Sequence, residues 1–158
     1  MLWWIEQSAL GHFMRDFSLW VYPIVNLAHI LGVASLFGAI LVTDLRLLGV
    51  WRRVPLAPLA SATVPVAKAG FLLAATTGAG LLATKATEYA GNPYLLIKFA
   101  AIALGLVNVW VLNLSAAWRA RSERDLSQVE ERRLAAIGGI SLACWLAAIS
   151  AGRLIAYW

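Results

Sequence analysis

Residues 23–43 read PIVNLAHILGVASLFGAILVT, a run broken by no carboxylate, ammonium or guanidinium group. At 1.5 Å rise per residue, roughly 20 such residues cover a hydrocarbon core about 30 Å thick. Three further apolar runs follow, at about 66–86, 93–117 and 134–156, and together the four fill most of the chain. The expected fold is therefore all-α: a polytopic bundle of four transmembrane helices forming a single membrane domain over residues 1–158. Apolar residues make up 61% of the sequence and charged residues 13%, with a mean hydropathy of +0.76. That balance lies outside the range of ordinary soluble domains. No internal repeat is evident.

The net charge of +5 does not point to nucleic acid, because eight of the ten arginines sit in two loops between apolar runs. Arg46, Arg52 and Arg53 follow the first run, and Arg119, Arg121, Arg124, Arg132 and Arg133 follow the third. These loops share a side. The positive-inside rule makes it the cytoplasm and puts both termini on the periplasmic face of a bacterial inner membrane. The charged connection from Arg119 to Arg133 is expected to be a solvated, partly helical segment, with docking of a protein or an anionic lipid as the alternative. Residues 1–17 are too short and too polar to span. With Leu2, Trp3, Trp4, Leu10, Phe13 and Phe17 set among Glu6, Gln7, Arg15 and Asp16, they read as an interfacial helix, and no cleavable signal sequence is read there. Trp20 and Trp158 are expected near the outer interface, and Trp51 and Trp118 near the inner one.

Local signals mark the helix ends. Asn92 with Pro93 reads as an N-cap and first helical residue, Gly91 as the C′ residue of the second span, and Pro65 as a start for that span. Ser127-x-x-Glu130 reads as a capping box ahead of the fourth. Small residues recur every fourth position: Gly70, Ala74 and Gly78 in the second span, Ala101 and Gly105 in the third, Gly139, Ala143, Ala147 and Ala151 in the fourth. Such stripes let helix backbones approach closely in lipid.

Polar groups inside the spans are the candidates for function. His29, in the outer half of the first span, has an imidazole able to ligate a haem iron or a chlorophyll magnesium, or to hydrogen-bond a neighbouring helix. The structural role is preferred, because the chain's other histidine, His12, lies in the interfacial segment and would have to fold back to serve as a second ligand. Thr76, Thr77, Asn108, Cys144 and Trp145 fall near the midplane, and Asn108 is the expected partner of His29, with Asn113 one turn further in. Lys98 and Arg153 lie at similar depth on the outer side, near Lys85 and Glu88. They are expected to snorkel, or else to form a basic site for haem propionates, a quinone head group or a phospholipid. Asp44 and Arg46 are expected to form an ion pair at the inner end of the first span. Cys144 stands alone, so neither a disulfide nor a multi-cysteine metal site can form within one copy.

The motifs Trp20-x-Tyr22-Pro23, His29-x-Leu31-Gly32, Asp44-Leu-Arg46-Leu-Leu-Gly49, Asn92-Pro93 with Ile97-Lys98, and Ala151-Gly152-Arg153-x-Ile155-Ala156-Tyr157 resemble those of an uncharacterised bacterial family of small four-helix membrane proteins. The resemblance covers nearly the whole chain and implies no activity. In architecture the chain is loosely similar to copper-resistance membrane proteins and to b-type cytochrome bundles. Those relatives imply a histidine near the inner end of the third span. This chain has Asn113 there, which speaks against a two-histidine haem site. Phosphate loops, paired intramembrane carboxylates, Cys-x-x-Cys and His-Glu-x-x-His are all missing from the sequence, and methionines number only two, too few for a soft-metal path. The expectation is a non-enzymatic accessory or structural subunit of a larger inner-membrane, redox-linked complex. It would have no catalytic residues, metal or cofactor, and its partners would be membrane lipids and other subunits or further copies of itself. The alternative is a small cytochrome holding haem b, or a chlorophyll-type pigment protein, built on His29, Asn108, Lys98 and Arg153.

Overall fold

The computed structural model describes residues 3–9, 11, 20–84 and 86–158. Among them there are helices and turns and no strand. The helices are α1 (Trp3–Glu6), α2 (Val21–Leu47), α3 (Leu56–Thr84), α4 (Pro93–Leu114), α5 (Ala116–Ala120) and α6 (Gln128–Leu154), with a closing 3₁₀ turn over Ile155–Tyr157. Four of them, α2, α3, α4 and α6 with its 3₁₀ extension, are long and apolar enough to cross a membrane.

Several boundaries follow from local chemistry. The helix α6 is opened by the capping box: the Ser127 hydroxyl accepts the Glu130 N–H, and the Glu130 carboxylate accepts the Ser127 N–H. A bidentate pair from Arg124, at 2.7 and 3.0 Å, holds the same carboxylate. Pro93 is the first residue of α4, as its fixed φ favours. A Schellman motif closes α2: Val50 N–H bonds Leu45 O, Gly49 N–H bonds Arg46 O, and Gly49 takes φ +98°. That geometry is the physical content of the glycine in Asp44-Leu-Arg46-Leu-Leu-Gly49.

Three boundaries differ from those read in the sequence. The helix α3 starts at Leu56, directly after Pro55, and carries Pro65 in its interior rather than at its start. The stretch from Leu56 to Val64 carries no charged side chain and so extends the apolar run, and a proline inside a long apolar helix is tolerated where neighbouring groups take up the freed carbonyl. Gly91 has φ +92° but lies in the turn run beyond Thr84, so it serves the turn and not a helix cap. The third helix stops at Leu114, and Ser115, with extended backbone, starts the short α5.

The chain divides into two compact units, residues 1–37 with 66–92 and residues 38–65 with 93–158. In the first, the early part of α2 meets the later part of α3 through glycine. A Cβ on Gly32 would lie 2.7 Å from Ala74 N, and one on Gly70 would lie 2.5 Å from Leu36 N. Main chain therefore touches main chain, and any side chain there would force the helices apart. The Glu6 carboxylate of α1 accepts bonds from the Thr87 N–H and hydroxyl, at 2.9 and 2.5 Å. Apart from α1 and its neighbours, the interfacial segment expected at 1–17 lies outside the described residues, as do His12 and Lys85.

In the second unit, Leu47, Ala60, Ala117, Trp118 and Leu134 form a small core. Trp118 is 5% exposed, with the Arg121 guanidinium 4.0 Å over its ring. It is a packing residue and not an interfacial anchor, whereas Trp51 and Trp158 are exposed. Helices α4 and α6 pack together, Ala101, Gly105 and Asn108 facing the α6 side chains. The indole of Trp145 lies on Gly105, with Cε2 3.3 Å from where a Cβ would be. The buried face of α6 is Leu134, Gly138, Ser141, Trp145, Ala148 and Ala151. Of the stripe expected there, only Ala151 is buried, while Ala143 and Ala147 are exposed. Alanine and glycine occur on every side of this helix, so a four-residue spacing of small residues does not select a face.

Candidate functional site

His29 is held within the first unit by the glycine stripe of α3. Its Nδ1 lies 2.9 Å from Ala74 O and 3.1 Å from Thr77 Oγ1. A carbonyl can only accept, so the proton sits on Nδ1 and the lone pair on Nε2. Gly78 forms the floor of the site: a Cβ there would come within 3.0 Å of the imidazole Cε1. Thr77 in turn donates to Leu73 O at 2.5 Å. The sequence contained both parts, the stripe and the histidine. What it lacked was the rotation of α2 that aims His29 at the stripe.

Asn108, expected as the partner of His29, instead donates from Nδ2 to Ile137 O at 3.0 Å and so ties α4 to α6. Each of the two polar residues has a partner inside its own unit. Asn113 donates to Val109 O on its own helix, and Thr76 to Leu72 O. Cys144 is a half-buried free thiol.

Near the end of α2 the second unit gathers polar groups that sequence inspection did not connect. The Thr43 hydroxyl is 2.7 Å from that of Thr63 on α3 and donates to Ala39 O. Asp44 is 4% exposed, receives a hydrogen bond from Ser141 on α6, and leaves Oδ2 buried without a partner. The ion pair expected between Asp44 and Arg46 is not formed. Residues two apart point to different sides of a helix, so Asp44 turns to α6. Arg46 reaches into the loop, donating to Val54 O at 2.6 Å and Arg52 O at 3.3 Å. Asp44 could have been flagged as an intramembrane carboxylate; Ser141 gave no signal of its own.

Lys98 of α4 lies against Gly152 of α6, the residue before Arg153. The Lys98 stem crosses Gly152, where a Cβ would meet Nζ at 3.5 Å and Cδ at 3.6 Å. Arg153 is exposed, donates from Nη2 to the Tyr157 hydroxyl at 2.5 Å, and lies 4.9 Å from the centre of that ring. Gly152 is thus small to let a lysine lie flat. Among the described residues, no three of histidine, cysteine, aspartate and glutamate cluster as metal ligands would.

The chain matches no family model, no curated protein and no solved structure, so the candidate sites rest on their own geometry.

Proposed function

We propose that this chain is a non-enzymatic, helix-packed membrane protein that serves as an accessory or structural subunit of a larger inner-membrane assembly, with redox-linked respiratory or photosynthetic complexes as the class of partner. The observation that carries it is the commitment of His29 Nδ1 to Ala74 O and Thr77, over a floor made by Gly78. This is helix-to-helix attachment by a buried polar group, the commonest use of such groups in lipid. The surface of α4 supports an assembly role. Only Ala101, Gly105 and Asn108 are buried there, and Leu96, Leu104, Val107 and Trp110 stay more than half exposed for lipid or a neighbouring subunit. By the positive-inside rule the arginine loops belong to the cytoplasm and both termini to the periplasm.

One observation favours the cofactor reading as the second. A histidine that donates Nδ1–H to a carbonyl is oriented as metal-ligating histidines are, with Nε2 as the ligating atom. An absorption spectrum of the purified protein separates the two readings. The structural role gives no Soret or far-red band, and His29→Gln folds like the parent. A stoichiometric band that vanishes in His29→Ala would overturn it in favour of haem b or a chlorophyll-type pigment.

A further inference from the structure

Positive-inside topology asks only that arginines lie on one side of the bilayer. It does not ask them to converge, yet in the second unit they do. A cleft of about 650 Å³ is lined by Arg46, Arg52 and Arg53 from the loop after α2, Arg121 and Arg124 from the connection before α6, and Arg132 from its second turn. Against these six stand two carboxylates, Asp125 and Glu131, which leaves the lining with a formal charge of +4. The volume falls within the range of about 300–1,000 Å³ usual for small-ligand sites.

Part of the guanidinium set is already used. Arg46 holds the loop carbonyls, Arg124 is paired with Glu130, and Arg121 stacks on Trp118. Arg53 and Arg132 are exposed and hold no hydrogen bond to any described residue. Arg121 Nε is buried without a partner. Beside these donors the wall turns apolar at exposed Leu48, directly after α2, and half-buried Leu56, the first residue of α3. A ligand seated here meets both guanidinium forks and the leucines at the ends of two spanning helices.

We infer that this cleft binds the phosphate of an acidic phospholipid headgroup, with Arg53 and Arg132 as its principal donors. Arginine suits the task because its planar fork matches two phosphate oxygens, where lysine offers a single point charge. Leu48 and Leu56 favour a lipid over a free phosphate, since they are the lining leucines left open to solvent. The inference does not depend on the role proposed for His29 and stands or falls separately.

The test uses the purified full chain in neutral detergent, titrated with short-chain phosphatidylglycerol, phosphatidylcholine and inorganic pyrophosphate. Phosphatidylglycerol should bind at least tenfold more tightly than phosphatidylcholine. Arg53→Gln with Arg132→Gln should weaken it roughly 25-fold, about fivefold for each basic residue lost. Arg133→Gln, the same charge change on a residue outside the cleft, should leave affinity within twofold. Equal affinity for the two lipids overturns the proposal, as does a preference that survives the double variant or falls equally in Arg133→Gln. Pyrophosphate binding that the double variant abolishes, without a phosphatidylglycerol preference, overturns the lipid in favour of a soluble phosphate. If the glutamine pair does not yield folded protein, Arg53→Lys with Arg132→Lys decides, because it keeps the charge and removes the forks. A loss of fivefold or more then supports the assignment, and unchanged affinity overturns it.

Discussion

An imidazole in hydrocarbon needs an acceptor, and His29 finds one only because residue 78 has no side chain. Gly78→Leu should therefore push the ring off Ala74 O and cost about 1–3 kcal/mol, the range for overpacked cores. Ala147→Leu, on an exposed position of α6, should change the detergent melting temperature little. Equal losses in the two variants would mean that Ala147 is covered in the folded protein. Asp44 presents the opposite problem. Its Oδ2 is buried and unpartnered, and a buried polar group left so costs about 1–3 kcal/mol. Asp44→Asn keeps the shape and removes the charge, so it should melt at or above the parent temperature. A marked fall would reveal a counter-charge or bound cation that depends on the carboxylate. The chemistry of these residues was legible in the sequence, but their partners were not: His29 was matched to Asn108 and Asp44 to Arg46, from depth and chain proximity alone.

At the scale of the helix, the caps were the most legible features, because a cap is decided by residues within four positions of one another. Ser127→Ala should cost about 1 kcal/mol, read as a lower melting temperature and faster amide exchange in the first turn of α6. Exchange equal to the parent's would show that the Arg124–Glu130 pair holds the helix start alone. Gly49→Ala forces a side chain into the left-handed region and should cost about 1–2 kcal/mol at the Schellman turn. A neutral result would mean that the turn reorganises. The α4 pair of Ala101 and Gly105 was also legible, since small residues there stand out among larger ones, and the α3 stripe of Gly70, Ala74 and Gly78 was legible from the two glycines at its ends. In α6 they do not stand out. The face was chosen instead by two contacts between helices, Trp145 on Gly105 and Leu47 on Gly138.

For the whole molecule, the arginine loops predict that single cysteines in a Cys144→Ala background will be protected from an external membrane-impermeant thiol reagent at position 122 and labelled at position 91. The reverse pattern would invert the topology. Hydropathy is a sum over neighbouring residues, so the sequence alone determined that there are four helices long and apolar enough to span, and roughly where they run. Helix rotation is not such a sum. In a soluble helix the polar face gives it away, but these helices are apolar all round, and lipid does not distinguish their faces. Only the tertiary structure could therefore decide that His29 lies over Gly78, that Asp44 turns to Ser141, and that arginines far apart in sequence line one cleft. Each of these is a meeting between side chains set by packing, and packing depends on shapes brought together from distant parts of the chain.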